Sequence, residues 1–156
     1  MSYVQEIRKL VGSCRIFVPG IRAVIVNHVG EILLQQRTDT AMWGLPGGAV
    51  EPDETVFEAL KREVAEETTL TVIDAQPMAL YCGPDQKFAY PNGDKVQIFA
   101  LAFIVQKWEG KPRADGLEGS KVRFFELSDL PENLVPIHRQ TIKDYAEYNG
   151  TFIWKA

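Results

Sequence analysis

The stretch from residue 47 to residue 70 constrains this chain most, because two glycines lead into an acidic segment with a helical pattern. Thr55 and Glu58 have the Ser/Thr-x-x-Glu spacing of a capping box. This spacing predicts a helix that begins after Thr55 and runs to about Thr68. The first predicted element is therefore a helix that follows a tight glycine turn.

Acidic residues share a face of this helix with apolar ones. At about 100° per residue, Val56, Leu60 and Val64 fall on one stripe, which predicts the face packed on the core. Glu67 lies about 20° from Leu60 on this wheel and Glu63 lies about 60° from it. One carboxylate is therefore predicted to point into the apolar face, and the other to border it.

These carboxylates lack a positive partner on the wheel and destabilise the helix by themselves. Glu63 and Glu67 are an i,i+4 pair of like charges, Glu66 lies within i,i+3 reach of Glu63, and the dipole at this helix end favours cations. A hard divalent cation, Mg²⁺ or Mn²⁺, would convert the repulsion into binding energy. A solvated acidic face is the alternative that the wheel leaves open.

The spacing across the whole stretch favours the metal site. The pattern G-x5-E-x7-R-E-U-x-E-E-x-G-U, where U is a bulky aliphatic residue, is matched by Gly48, Glu54, Arg62, Glu63, Val64, Glu66, Glu67 and Leu70. At average residue frequencies, its fixed polar and glycine letters would coincide by chance with odds on the order of 10⁻⁵. The chain thus resembles the Nudix (MutT-like) hydrolase family, and Trp-Gly-x-Pro-Gly-Gly at residues 43–48 extends the resemblance upstream.

One letter of the motif is different in this chain. Thr69 stands where the family has its second glycine. A glycine there suits a left-handed helix cap, which a β-branched threonine adopts poorly. We therefore expect the helix to end differently from the family's, and Glu66 and Glu67 to be aimed differently as well.

The resemblance implies a fold, a reaction and a cofactor. The fold is the Nudix-type α/β/α sandwich, an α/β architecture with a mixed sheet between helices. The reaction is metal-dependent hydrolysis of a phosphoanhydride bond in a nucleoside diphosphate linked to another moiety, such as an ADP-ribose-like compound, a nucleotide sugar or a nucleoside triphosphate. The cofactor is Mg²⁺ or Mn²⁺. A non-catalytic Nudix-fold module that binds nucleotides or regulates is the alternative.

The resemblance also implies roles for individual residues. The implied metal ligands are the Gly47 carbonyl, Glu63, Glu66 and Glu67. Glu63 is also a candidate to accept the proton of the attacking water. Its substitute is Glu118, the only glutamate in the loop before the last main strand, although Glu118 is equally interpreted as a solvated loop residue. Arg62 points away from the metal side on the wheel, so its predicted role is to pair with Glu54 and orient the site.

Four further residues are candidates for substrate binding, each with a structural alternative. Arg37 is either a phosphate contact or the surface end of a strand. Trp43 either lines the substrate pocket or anchors the core beside the glycine turn. Phe88 and Tyr90 either stack on a base or pack within a hairpin.

Apolar patterning predicts the remaining elements. Helices are expected at residues 3–11 and 136–148, and strands at 15–18, 21–27, 31–37, 71–83, 87–90, 95–106 and 122–127, with 21–27 and 31–37 forming a hairpin. The first helix is predicted to pack on the domain or on a second subunit, which would make a homodimer. His138 and Arg139 are expected at the surface.

Length, charge and cysteine content predict the number of domains, the class of partner and the location of the protein. The 156 residues, 46% of them hydrophobic, are enough for a single domain over 1–156 with a substantial core. A formal charge of −4 argues against a nucleic-acid polymer and leaves a small-molecule nucleotide as the expected partner. Cys14 and Cys82 are expected to be free thiols in a reducing cytoplasm. No apolar run has the length of a membrane span.

Overall fold

The computed structural model describes residues 2–155. Its helices are α1 (Tyr3–Val11), α2 (Val56–Thr68) and α3 (Pro136–Ala146), with a short 3₁₀ turn at Pro84–Gln86. Its strands are β1 (Ile16–Ile25), β2 (Ile32–Arg37), β3 (Trp43–Gly44), β4 (Thr71–Tyr81), β5 (Lys87–Ala89), β6 (Lys95–Glu109), β7 (Gly119–Phe125) and β8 (Ile153–Lys155). None of the helices in this part of the chain is both long enough and apolar enough to cross a membrane.

The strands form a mixed sheet and a smaller antiparallel one. In the mixed sheet the order is β1-β6-β4-β8, with β5 paired to the start of β6. β1 runs parallel to β6, whereas β4 runs antiparallel to β6. The smaller sheet has the order β3-β2-β7.

The mixed sheet carries a helix on each face. On one face, Val24 of β1 belongs to the apolar cluster that contains Ile142 of α3. On the other face, Ile21 belongs to the cluster that contains Leu60 and Val64 of α2. Because neighbouring residues of a strand point to opposite faces, β1 contributes to both clusters. The predicted α/β fold with a mixed sheet between helices is confirmed.

Helix α2 begins as predicted and differs in one core position. The Thr55 hydroxyl accepts a hydrogen bond from the Glu58 N–H at 3.2 Å, and the Glu58 carboxylate accepts one from the Thr55 N–H at 2.8 Å. Leu60 is fully buried, but Val56 is 42% exposed, so its predicted core position is wrong. Val56 is the first residue of the helix, and Ala59 in the next turn begins the buried face instead.

The predicted hairpin of residues 21–27 with 31–37 is wrong. β1 is continuous from Ile16 to Ile25 and pairs along its whole length with β6, while β2 lies in the smaller sheet. A single bridge between Val26 and Ile32 is what remains of the hairpin. Strand β6 is long and largely apolar, and pairing with it buries more of β1 than a short hairpin would.

The end of α2 also differs from expectation. Thr69 adopts the left-handed conformation, with φ 62° and ψ 10°, and its N–H donates to the Ala65 carbonyl. Its hydroxyl donates to the Lys111 carbonyl at 2.9 Å. The helix therefore ends in the cap that a glycine would have formed, and the expectation of a different ending is wrong. The threonine is held in this conformation by tertiary contacts.

This cap leads to a prediction about Thr69. Thr69→Gly loses the hydroxyl bond but relieves the left-handed strain, whereas Thr69→Ala loses the bond and keeps the strain. We expect the glycine variant to exceed the alanine variant by about 1 kcal/mol in free energy of unfolding, measured by urea denaturation. An alanine variant as stable as the glycine variant would show that the left-handed conformation carries no strain here.

Candidate active site

A cavity of about 890 Å³ lies at the end of the glycine turn. It is enclosed by α1, β1, the turn, α2, the hairpin of β5 and β6, the loop before β7, and the start of α3. Pockets of roughly 300–1,000 Å³ accommodate small ligands and cofactors. The cavity is therefore large enough for a nucleotide.

Four glutamates line one side of this cavity, and we call them the acidic wall: Glu63, Glu66, Glu67 and Glu118. Glu63 is 8% exposed and Glu67 is 3% exposed, which confirms that α2 points one carboxylate into the core. Burial raises the pKa of Glu67 to about 8, opposed by hydrogen bonds from the Gly47 N–H and Gln35 and reinforced by the charges of Glu63 and Glu118. Burial also raises the pKa of Glu63.

The glycine turn holds Glu67 and leaves one carbonyl without a partner. The Pro46 carbonyl accepts from the Ala23 N–H at 2.8 Å, and the Gly48 carbonyl accepts from the Ile21 N–H at 2.9 Å. Between them, the Gly47 N–H donates to Glu67 at 2.8 Å, while the Gly47 carbonyl accepts no hydrogen bond from residues 2–155. This carbonyl oxygen thus remains available for a ligand.

Both glycines are needed for close packing. Gly47 has φ 147°, and a Cβ atom there would overlap the backbone carbonyl of Ile21. A Cβ atom on Gly48 would overlap the carboxylate of Glu63. The turn therefore fits tightly against β1 on one side and against the acidic wall on the other.

Arg62 forms hydrogen bonds with three glutamates of the motif. Its guanidinium donates to both carboxylate oxygens of Glu54, at 2.8 and 2.9 Å, and this bidentate bond lowers the pKa of Glu54. It also donates to Glu63 at 2.7 Å and approaches Glu66 at 3.4 Å. The predictions that Arg62 points away from this side, and that the glutamates lack a positive partner, are therefore wrong. The wheel gives the direction of Cβ, and a long side chain reaches beyond it.

The donor set fits a hard divalent cation in its chemistry. Carboxylate and carbonyl oxygens are the ligands that Mg²⁺ and Mn²⁺ prefer. Within residues 2–155, however, no three His, Cys, Asp or Glu groups already converge as a metal cluster. Glu63 is engaged by Arg62, and Glu67 is engaged by the Gly47 N–H. The carboxylate and carbonyl oxygens suit Mg²⁺ or Mn²⁺ and line one cavity, but they are not yet arranged around a common centre.

The predicted substrate residues divide into two groups. Phe88 and Tyr90 line the cavity as an edge-to-face pair with ring centroids 5.0 Å apart. Arg37 also lines it, with its guanidinium 5.8 Å from the Tyr90 ring centroid and paired to Asp39 at 2.8 Å. Trp43 does not belong to the lining.

Trp43 is a core anchor. It packs edge-on against Phe125, with ring centroids 4.8 Å apart, beside the apolar cluster under α3. The structure therefore supports the core-anchor alternative for Trp43, because its ring packs against Phe125 of β7 in the smaller sheet and does not line the cavity.

The sequence did not predict three basic residues that line the cavity: Arg8, Arg22 and His138. His138 was expected at the surface, but it is half-buried and its Nδ1 accepts a hydrogen bond from the Leu45 N–H at 3.0 Å. Burial lowers the pKa of His138 well below its usual value, and the nearby arginines add to this effect. A signal existed for Arg22, which is a lone charge within the apolar run of β1.

Comparisons with known proteins agree with this fold and show the family of the chain. The model of the NUDIX domain matches residues 17–145. An ADP-ribose pyrophosphatase of Methanocaldococcus jannaschii is 35% identical over 129 residues, covering 81% of this chain and 72% of that protein. An RNA pyrophosphohydrolase of Pseudomonas fluorescens (strain SBW25) is 36% identical over 148 residues, covering 83% of this chain and 92% of that protein. The crystal structure of a MutT NUDIX hydrolase from Burkholderia pseudomallei matches with a TM-score of 0.70 at 28% identity. The match covers 83% of this chain and 98% of that one. This chain therefore belongs to the NUDIX domain family of pyrophosphohydrolases.

Proposed function

We propose that this chain hydrolyses a phosphoanhydride bond in a nucleoside diphosphate linked to another moiety, with Mg²⁺ or Mn²⁺ bound at the acidic wall. The observation that carries the proposal is the pair of buried carboxylates, Glu63 and Glu67, beside the unpaired Gly47 carbonyl in a nucleotide-sized cavity. The names of the relatives, which include an ADP-ribose pyrophosphatase, support it.

In this proposal the metal ligands are the Gly47 carbonyl, Glu63, Glu66 and Glu67. When bound, the cation neutralises the diphosphate and lowers the pKa of a water molecule. Arg62, anchored by Glu54, keeps the Glu63 carboxylate oriented toward the cavity. Gly47 keeps Glu67 in place through its N–H.

Glu63 and Glu118 are the two candidates for the general base. Glu63 is held by the Arg62 guanidinium, which occupies one of its carboxylate oxygens. Glu118 is exposed, and no ion pair engages its side chain within residues 2–155. The free side chain favours Glu118 as the group that accepts the proton of the attacking water, with Glu63 as a ligand.

Phe88 and Tyr90 also line the cavity and offer aromatic surface for a base. A nucleobase could stack on their rings, and Arg37 could contact a phosphate oxygen. A single domain, a location in the cytoplasm and a small-molecule substrate complete the proposal. A homodimer through α1 is included because that helix exposes three large apolar side chains, Tyr3, Leu10 and Val11.

A panel of substrates tests this function. The protein would be incubated with Mg²⁺ and ADP-ribose, nucleotide sugars, nucleoside triphosphates, dinucleoside polyphosphates or 5′-triphosphorylated RNA, and the products separated by ion-exchange chromatography. We expect cleavage between phosphorus atoms in at least one small nucleotide. Binding without cleavage across the whole panel would favour a non-catalytic nucleotide-binding or regulatory module, and cleavage of RNA alone would contradict the proposed partner class.

The two glycines of the turn provide a matched pair of variants. In Gly48→Ala the three atoms nearest to the added Cβ all belong to the Glu63 carboxylate, the end of a flexible side chain. We therefore expect a loss of less than about 1 kcal/mol in stability but at least about a tenfold loss of turnover. Gly47→Ala meets the Ile21 backbone at an unfavourable φ and should destabilise the fold by more than about 2 kcal/mol. Thermal melts and steady-state kinetics of both variants check this. Full activity in Gly48→Ala would show that the position of Glu63 does not matter.

A further inference from the structure

Arg22 is a buried cation that no carboxylate among residues 2–155 pairs with directly. It is 3% exposed, lines the cavity, and lies in the middle of β1 among apolar residues. No carboxylate lies within salt-bridge distance of its guanidinium among residues 2–155. A buried charge without a counter-charge is unfavourable, because burial removes its hydration and nothing replaces it. Stability alone therefore gives no reason for an arginine at this position.

Neutral groups hold the guanidinium in place. Its Nη1 donates to the Thr141 hydroxyl at 2.9 Å and to the Ile137 carbonyl at 3.3 Å, and its Nη2 donates to the Gln86 side-chain carbonyl at 2.7 Å. Its Cζ atom lies over the Tyr81 ring, 5.0 Å from the ring centroid. A guanidinium has five N–H donors, so two of them, including Nε–H, have no partner in the described part of the chain.

Two acidic groups in this region, Asp144 and Asp85, are engaged elsewhere. Asp144 accepts the Tyr81 hydroxyl at 2.8 Å and pairs with Lys155 at 3.3 Å. Asp85 is exposed and reaches Arg22 only through the side chain of Gln86, which donates to it at 3.2 Å. The charge of Arg22 therefore remains available to a ligand.

His138 adds a donor of the same kind to this part of the cavity. Because its Nδ1 accepts from the Leu45 N–H, the proton of the neutral ring is assigned to Nε2. No residue within 2–155 accepts that Nε2–H. Arg22 and His138 both line the cavity, and Arg22 is held by Ile137 and Thr141 of the same helix that carries His138. This corner of the cavity thus offers N–H groups that have no acceptor among residues 2–155. It also offers a positive charge that no carboxylate of these residues pairs with.

We propose that Arg22 and His138 form a second oxyanion subsite, which binds a substrate phosphate that the metal at the acidic wall does not hold. The inference rests on the proposed nucleotide hydrolysis and deepens it. It favours substrates with a third phosphate, such as nucleoside triphosphates or dinucleoside polyphosphates, over ADP-ribose-like compounds that end in a neutral sugar. A neutral base edge would accept the hydrogen bonds of Arg22 but would leave its charge uncompensated.

Binding of inert analogues tests the subsite without turnover. The ligands are ATP and ADP in which CH₂ replaces each oxygen that bridges two phosphorus atoms, titrated calorimetrically in Mg²⁺ into the full-length protein. For wild type we expect the ATP analogue to bind at least about tenfold more tightly than the ADP analogue. In Arg22→Met this preference should fall to about twofold or less. Arg15→Met, at an exposed position outside the cavity lining, is the control for net charge and should keep the wild-type ratio.

Arg22→Lys covers the case in which Arg22→Met does not fold, because it keeps the charge but has fewer donors. We expect a preference between those of wild type and Arg22→Met. An unchanged preference in Arg22→Met, or in Arg22→Lys if that is the variant that folds, would overturn the subsite. Equal weakening of both analogues would also overturn it and assign Arg22 to the base instead. Because no hydrolysis is measured, a collapsed preference supports the subsite even if the substrate panel shows no cleavage.

Discussion

Glu67→Gln is expected to lower the turnover number at least about a hundredfold while leaving the metal-free protein folded. The amide keeps an oxygen that can accept the Gly47 N–H, so the fold retains its hydrogen bond. The variant loses the negative charge that the bound cation requires. Steady-state kinetics in Mg²⁺ with the best substrate of the panel measure the effect. Glu109→Gln, an exposed position outside the cavity lining, makes the same charge change as a control.

Thermal melts separate binding from structure at this residue. Mg²⁺ should raise the Tm of wild type, because it binds the folded state preferentially, and should raise that of Glu67→Gln less. An equal shift in both proteins would rule out Glu67 as a significant ligand. A drop of about 1–3 kcal/mol in the metal-free stability of the variant would instead identify Glu67 as a structural hydrogen-bond acceptor.

The second large effect is a dependence of metal-free stability on pH. Burial raises the pKa of Glu67 to about 8 in the folded protein, from 4.5 for a free glutamate side chain. The folded state therefore binds more protons than the unfolded state between these values, so stability must fall as pH rises through this window. The loss approaches about 1.4 kcal/mol for each pH unit well inside the window, and Glu63, whose pKa is also raised, adds to it.

Urea denaturation in EDTA at pH 5, 6, 7 and 8 measures this dependence. Wild type should lose stability steadily toward pH 8, and Glu67→Gln should show a much flatter profile. The variant should therefore gain most over wild type at the highest pH. Parallel profiles for wild type and variant would show that Glu67 ionises normally and that its burial carries no electrostatic cost.

The parts of the fold that could be predicted from sequence are those specified by near neighbours. The start of α2 depends on Thr55 and Glu58, which are in contact within one helical turn, and the structure contains that capping box. The burial of Glu67 follows from its angle to Leu60 on the same helix. The antiparallel pairing of β5 with β6 follows from the turn between them.

The parts that could not be predicted depend on residues far apart in the chain. β1 pairs with β6 because a long apolar partner exists elsewhere in the sequence, and no local pattern in residues 16–25 identifies that partner. Thr69 adopts a conformation that contradicts its local preference, and its hydroxyl is bonded to the distant Lys111 carbonyl. Local propensity is a weak guide wherever tertiary contacts of this kind are available.

In the candidate site, sequence reasoning identified the carboxylates but not the groups that face them. The glutamates follow from motif spacing, whereas the contact of Arg62 with Glu63 depends on the end of a long side chain. Arg22 stands out in the sequence as a charge within an apolar strand, but only the fold shows that it faces the cavity beside α3. His138 enters the site through the packing of α3 against the turn that contains Leu45.

Metal dependence of hydrolysis tests the central claim most directly. The protein would be treated with EDTA, desalted, and assayed by phosphorus NMR with its best substrate, first without metal, then with excess Mg²⁺, and then with EDTA in excess over Mg²⁺. The acidic wall predicts no detectable cleavage of the phosphoanhydride bond without metal, recovery of cleavage with Mg²⁺, and renewed loss in EDTA. Cleavage at an undiminished rate in EDTA would contradict the account.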